Sequence, residues 1–275
     1  MVAARPEACA APALAGDRPA GAVHPDLGRY GLIDWHARYV QQARWTRELR
    51  DYLFDAAGLR RAEQVLEVGC GTGAVLLDLA RADARIHGLD VNLNSLRLCR
   101  ANVPIGKLTM GDARALPFAS STFDIVFCHY LLLWVSTPVV ALQEMKRVVR
   151  PSGSVLAIAE PDYSTRLDRP RELEILGGLQ TESLRQQGAN PAMGGQLRLA
   201  FEEAGLTIVE AGRMKSSDTA WTQDERESEW AILESDLQRL TEKPELARLK
   251  RIDDAAWASG TRVLEVPTYY AWGRA

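Results

Sequence analysis

Three glycines alternate in the segment Glu67-Val68-Gly69-Cys70-Gly71-Thr72-Gly73. Glycine lets a backbone take positive φ and come close to a ligand. The apolar run before it, 64–68, reads as a short buried strand, and 74–82 after it has the composition of a helix. Free N–H groups at the start of such a helix favour an anion, either a carboxylate or a phosphate. Asp90 ends the next apolar run about 20 residues on, where a carboxylate grips ribose hydroxyls in dinucleotide folds. A ligand-free turn needs none of this in combination, so the spacing points to an adenosine-containing ligand. Gly69-x-Gly71-x-x-Ala74 also satisfies the dinucleotide fingerprint, which leaves a nicotinamide or flavin enzyme as a rival.

A second group of polar residues lies further along. His129 follows the apolar run 123–128, and its ordinary pKa range suits a general base. A histidine that only packs or caps a helix is the plainer reading. Tyr130 and Tyr163 carry hydroxyls able to orient a substrate or donate a hydrogen bond, and Asp162 has the charge to hold an amine; loop solvation would explain them equally. Trp35, Tyr39 and Trp45 recur at helical spacing over 29–58, either as a lid over the site or as core of a capping helix. Arg44 beside them reads as a solvated cation.

The elements that must position these groups alternate. Strands are expected at 64–68, 85–89, 108–110, 123–128 and 154–160, with helices at 74–82, 95–102 and 139–149 between them. Short, even alternation means an α/β fold with a doubly wound, mostly parallel sheet, in which ligands bind beyond the carboxyl ends of the strands. Glu67, Gly69, Asp90, Asp112, His129 and Glu160 all fall at those ends. Later, 170–187 and 194–204 look helical, 206–209 reads as a sixth strand, 216–260 as polar helix with Trp221, Trp230 and Trp257, and 262–272 as a last strand. The expected organisation is a disordered tail (1–25), an N-terminal helical cap (26–61), a seven-stranded Rossmann-like core (62–213), a helical insertion serving as substrate cap or homodimer contact (214–262), and the last strand (263–275).

The run Val65-Leu66-Glu67-Val68-Gly69-Cys70-Gly71-Thr72-Gly73 resembles the first motif of class I S-adenosylmethionine-dependent methyltransferases. Others follow in order: Gly88-Leu89-Asp90-Val91-Asn92, Gly111-Asp112-Ala113 with Leu116-Pro117-Phe118, Phe123-Asp124-Ile125-Val126, and Arg150-Pro151-Ser152-Gly153-Ser154. The resemblance spans 62–160 and is closest to the small-molecule group that includes the quinone-biosynthesis enzymes. It implies S-adenosyl-L-methionine as cofactor. The Gly69, Gly71 and Gly73 loop would pass under its methionine part, and Glu67 would organise that loop and the amino group. Asp90 would hold the ribose, Val91 would pack on the adenine, Asp112 and the Ala113 backbone would bond its amino edge, and Cys128 would touch it through the backbone. His129 and Tyr163 are then the catalytic candidates, with Trp35, Tyr39, Tyr130 and Asp162 as candidates for substrate binding. The implied reaction moves a methyl group to an O, N or C atom of a small biosynthetic molecule. The alternatives are an NAD(P)-dependent oxidoreductase, which needs a second mononucleotide half, and a non-catalytic S-adenosylmethionine-binding module.

Bulk composition sets outer bounds. The 275 residues suit one elaborated domain, and a formal net charge of −3 with no basic run disfavours nucleic acid as partner. Adenine-N6 nucleic-acid methyltransferases carry an Asn/Asp-Pro-Pro-aromatic tetrad where Cys128-His129-Tyr130-Leu131 stands here. The cysteines at 9, 70, 99 and 128 form no zinc spacing, and no carboxylate cluster suggests a metal. No apolar run is long enough to span a membrane. These features together lead to the expectation of a cytoplasmic protein with reduced thiols.

Overall fold

The computed structural model describes residues 35–79, 83–103, 106–215 and 221–275; the expected tail, the first residues of the N-terminal cap and the start of the insertion (216–220) lie outside them. In chain order the elements are α1 (Trp35–Trp45), α2 (Arg47–Ala57), β1 (Gln64–Val68), α3 (Leu76–Leu79), β2 (Arg85–Asp90), α4 (Leu93–Asn102), β3 (Lys107–Met110), β4 (Phe123–His129), α5 (Pro138–Val148), β5 (Val149–Pro161), β6 (Leu167–Arg169), α6 (Glu174–Gln186), α7 (Met193–Glu203), β7 (Thr207–Arg213), α8 (Gln223–Leu237), α9 (Lys243–Ser259), β8 (Val263–Glu265) and β9 (Thr268–Arg274).

Seven strands form one sheet in the order β3-β2-β1-β4-β5-β9-β7. The first five are parallel, and β9 runs antiparallel between β5 and β7. Side chains alternate across a strand, and here both faces are buried, as a parallel sheet clad in helices requires. Leu66, Val68, Val126, Cys128, Val155 and Ala157 pack on one side with Leu142 and Met145 of α5 and Leu197 and Phe201 of α7. Val65, Ile125, Phe127, Leu156 and Ile158 pack on the other with Leu53 and Phe54 of α2 and Leu96 of α4. From β1 the chain builds outward to β3 and returns to β4 on β1's other side, so a crevice opens past the carboxyl ends of β1 and β4.

Two expectations change in detail. The helix expected over 29–58 is broken at Thr46, whose backbone (φ −104°, ψ 5°) leaves the helical range, so α1 and α2 are separate. The last strand expected from 263 is divided: β8 pairs with β6 in a small two-stranded sheet and only β9 joins the core. The interruption falls at Val266-Pro267, where proline has no N–H to continue a ladder.

Helices α6, α8 and α9 enclose a core of their own from Leu173, Leu176, Trp230, Leu233, Leu237, Leu246 and Leu249. A capping box starts α8, with the Thr222 hydroxyl accepting from the Glu225 N–H and the Glu225 carboxylate accepting from the Thr222 N–H. Beside this core Asp168 accepts from Arg166 (2.7 and 2.9 Å) and Arg262 (2.7 Å), and Arg262 also donates to Asp253 (2.6 Å). The two cations and two anions balance, as burial demands. Stacked indoles join this unit to α1: Trp45 lies 5.2 Å from Trp221, and Trp221 lies 6.1 Å from Trp257.

Candidate active site

The glycine turn leaves β1 by folding over β2. Gly69 and Cys70 both donate to the Leu89 carbonyl, and Gly71 N–H donates to Asp90 Oδ2 at 2.9 Å. Asp90 also accepts from Asn92 N–H at 2.8 Å, so its carboxylate ties the turn to the start of α4. Gly69 has φ +77°, and a Cβ there would lie 2.7 Å from Leu131 Cδ1. Gly73 has φ +87°, and its Cβ would meet Val103 and Cys99, so it is a contact point with α4 and does not line the cavity described next.

That cavity has a volume of about 110 Å³ and lies over the turn. It gathers Trp35, Tyr39, Glu67, Gly69, Gly71, His129, Tyr130 and Tyr163, which come from α1, the ends of β1 and β4, and the turn after β5. Glu67 is 2% exposed, and its Oε2 has no hydrogen-bond partner. Burial pushes its carboxyl well above the usual range. Helix α1 sits directly on the turn. The Tyr39 ring lies 3.6 Å from where a Cβ on Gly71 would be, and His36 Nδ1 is 2.9 Å from Thr72 Oγ1.

His129 lines the cavity with its Nε2 2.9 Å from the Thr46 hydroxyl, which accepts from Arg50 Nη1 at 2.6 Å. Arg50 is 1% exposed and pairs with Asp78. Burial and then the Arg50 charge hold the imidazole well below its ordinary pKa. It is therefore neutral at physiological pH and a weaker base than an exposed histidine. Tyr130 is held at φ +52°, a left-handed conformation uncommon for a residue with a side chain. The turn that follows is held by Glu160, fully buried at the end of β5, which accepts from the N–H groups of Leu131, Leu132 and Leu133 at 2.9, 2.9 and 3.2 Å. Burial outweighs these donors and raises the Glu160 carboxyl to about 7.

The other expected residues lie outside this cavity. Val91 and Ala113 follow the ends of β2 and β3. The Asp112 carboxylate is gripped by the Arg114 guanidinium, whose hydrogen bonds lower its pKa. Cys128 is buried in β4 between β1 and β5. Asp162 caps its own turn by accepting from Ser164, which engages the carboxylate expected to meet an amine.

A second chamber of about 340 Å³ shares Gln42, Tyr130, Pro161 and Tyr163 with the first and extends to Arg38, Trp45, Trp221, Glu225 and Glu229. Arg44 lines this chamber, away from the glycine turn, with Glu225 at 3.7 Å. Sequence reasoning missed Arg38, Thr46 and Arg50 as site residues. The signal was there in arginines standing in the apolar stripe of a half-buried helix. Among the described residues no group of three His, Cys, Asp or Glu side chains is disposed to hold a metal, and no helix is long and apolar enough to cross a membrane.

Residues 66–157 match the methyltransferase domain family. The demethylmenaquinone methyltransferase of Streptomyces avermitilis is 36% identical over 128 residues, covering 46% of this chain and 54% of that one. The malonyl-[acyl-carrier protein] O-methyltransferase of Pseudescherichia vulneris is 32% identical over 117 residues, covering 42% and 47%. The chain spans about half the length of the curated relatives it matches. Among solved structures, a protein from Anabaena variabilis described as a putative methyltransferase from an antibiotic biosynthesis pathway superposes with a TM-score of 0.61 at 15% identity, covering 85% of this chain and 100% of that one. Antiparallel β9 stands where the oxidoreductase rival requires a second parallel half. Residues 66–157 thus resemble a methyltransferase domain, and the sheet that carries them shares its fold with the solved structure.

Proposed function

We propose that the chain is an S-adenosylmethionine-dependent methyltransferase, acting in the cytoplasm on an O, N or C atom of a small biosynthetic molecule. The observation that carries this reading is the unpartnered, buried Glu67 oxygen in a cavity floored by Gly69 and Gly71. A buried acceptor without a donor is costly, and an ammonium group satisfies it. The residues therefore fit the amino acid half of the donor, with Glu67 taking the ammonium. The adenosine half would extend towards Asp90, Val91, Asp112, Ala113 and the Cys128 backbone. When bound, S-adenosylmethionine supplies an electrophilic methyl group on a sulfonium.

The chain's own residues do the rest. Trp35 and Tyr39 on α1 exclude water from the turn. Tyr130 and Tyr163, common to both chambers, align the acceptor. His129 stays neutral and acts as a hydrogen-bonding partner, with Thr46 fixing its ring. We assign the insertion 214–262 as a substrate cap, because Trp221, Glu225 and Glu229 line the second chamber. The relatives named above support the reaction class, and the net charge of −3 supports a small molecule over nucleic acid.

Calorimetry with S-adenosylmethionine and with NAD tests the reading, with Asp90→Ala alongside. Micromolar binding of the former that Asp90→Ala abolishes is the expected result. Binding of NAD alone would overturn it.

A further inference from the structure

The second chamber has walls whose charges are almost all matched. Arg166 spends Nε and Nη2 on Asp168 and Nη1 on Gln180. Glu265 pairs with Arg213, and Arg44 lies 3.7 Å from Glu225. Arg38 differs. It is 8% exposed and stacks over Trp45 at 5.0 Å, and its polar contacts with Gln41 and Glu229 both leave from Nη1. No hydrogen bond to a described residue leaves from Nε or Nη2, and both donors can meet a ligand in the chamber. Its partner Glu229 reaches the same chamber from α8.

We propose that Arg38 and Glu229 together determine acceptor specificity by binding a neutral hydroxyl group. This rests on the methyltransferase reading and names the substrate class for that site. A hydroxyl accepts from Arg38 and donates to Glu229 at once. A carboxylate or phosphate gains Arg38 but faces the Glu229 charge, and an ammonium gains Glu229 but faces Arg38. With the remaining wall charges matched, nothing compensates a charged acceptor. The hydroxyl-bearing acceptor then abuts Tyr130 and Tyr163, where the two chambers meet.

The test is calorimetry on the full chain at pH 7 with three probes on one ring, 2-naphthol, 2-naphthoate and 2-naphthylmethylammonium, each with and without S-adenosylhomocysteine. Wild type should prefer the naphthol about tenfold over either charged probe, the margin expected of a hydrogen bond to a charged group. E229Q keeps the shape and leaves Arg38 unopposed, so preference should move to the naphthoate. R38M should move it to the ammonium. A packing role would weaken all three probes alike. Should R38M fail to fold, the isosteric E229Q decides. The inference is overturned by absence of naphthol binding, by equal affinity for a charged probe, or by an unchanged order in E229Q. S-adenosylhomocysteine binding without naphthol preference sinks this inference alone; the expected order without S-adenosylhomocysteine binding sinks the donor assignment alone.

Discussion

Replacing Glu160 by Gln should change how stability depends on pH. Glu160 is fully buried beneath the Leu131–Leu133 turn, and its carboxyl titrates at about 7 in the folded chain. In the unfolded chain a glutamate titrates at about 4.3, and each pH unit separating the two values is worth about 1.4 kcal/mol. Between those values the folded state holds a proton that the unfolded state has released. Stability from this group is therefore present below about pH 4 and lost as pH rises through 7, a total of about 3–4 kcal/mol. The glutamine side chain of E160Q has no proton to lose. Its oxygen can keep the two bonds to Leu131 and Leu132, but its amide opposes the Leu133 N–H, a cost of about 1–3 kcal/mol that does not vary with pH. Urea unfolding of both proteins at pH 5, 6, 7 and 8 reads this directly. Wild type should lead clearly at pH 5, and its lead should shrink by about 3 kcal/mol by pH 8. Parallel profiles would refute the reasoning. A lead that grows with pH would show that the three N–H donors outweigh burial and keep the carboxylate ionised.

Gly69→Ala combines a left-handed φ with a Cβ 2.7 Å from Leu131. It should cost about 2–4 kcal/mol and lower the melting temperature by roughly 5–15 °C. Gly71→Ala meets only ordinary contacts at Tyr39, so a larger loss there than at Gly69 in parallel melting curves would contradict the packing argument. Asp168→Asn leaves Arg166 and Arg262 buried without their shared anion and should cost about 3–5 kcal/mol by denaturant titration; no change would mean that water reaches the network. In Arg50→Met, NMR titration should show the His129 pKa moving up while staying below its ordinary value, since burial is the larger cause. An unmoved pKa would remove Arg50 from the account.

The core was readable because its elements announce themselves locally. The glycines at 69, 71 and 73 have positive φ, Asp90 ends a strand, and the apolar stretches 125–128 of β4 and 155–159 of β5 are continuous because both faces are covered. What could not be read depends on which distant elements meet. Thr46 looked like one more helical residue, because its contact with His129 spans 83 positions. Arg38 and Arg50 were not singled out, because the partners that meet them, Glu229 and Asp78, lie on other elements. The division of the last strand was missed because apolar residues on both sides of Pro267 hid a break whose cause is pairing of β8 with β6.

The position of β9 has a consequence for how the molecule assembles. It lies between β5 and β7, and its register joins Ser154 to Arg274 and Pro161 to Thr268. Those partners are separated by roughly a hundred residues of chain, so these are among the highest-entropy closures in the fold, and topologies rich in such pairings form slowly. Until 268–274 arrive, β5 and β7 each present an unpaired strand edge. During synthesis the five parallel strands and their helices can form in order, while the sheet stays split until this strand slots in. The interval exposes a gap that another strand can fill, so slow translation or loss of 268–274 should favour aggregation through that gap rather than simple unfolding.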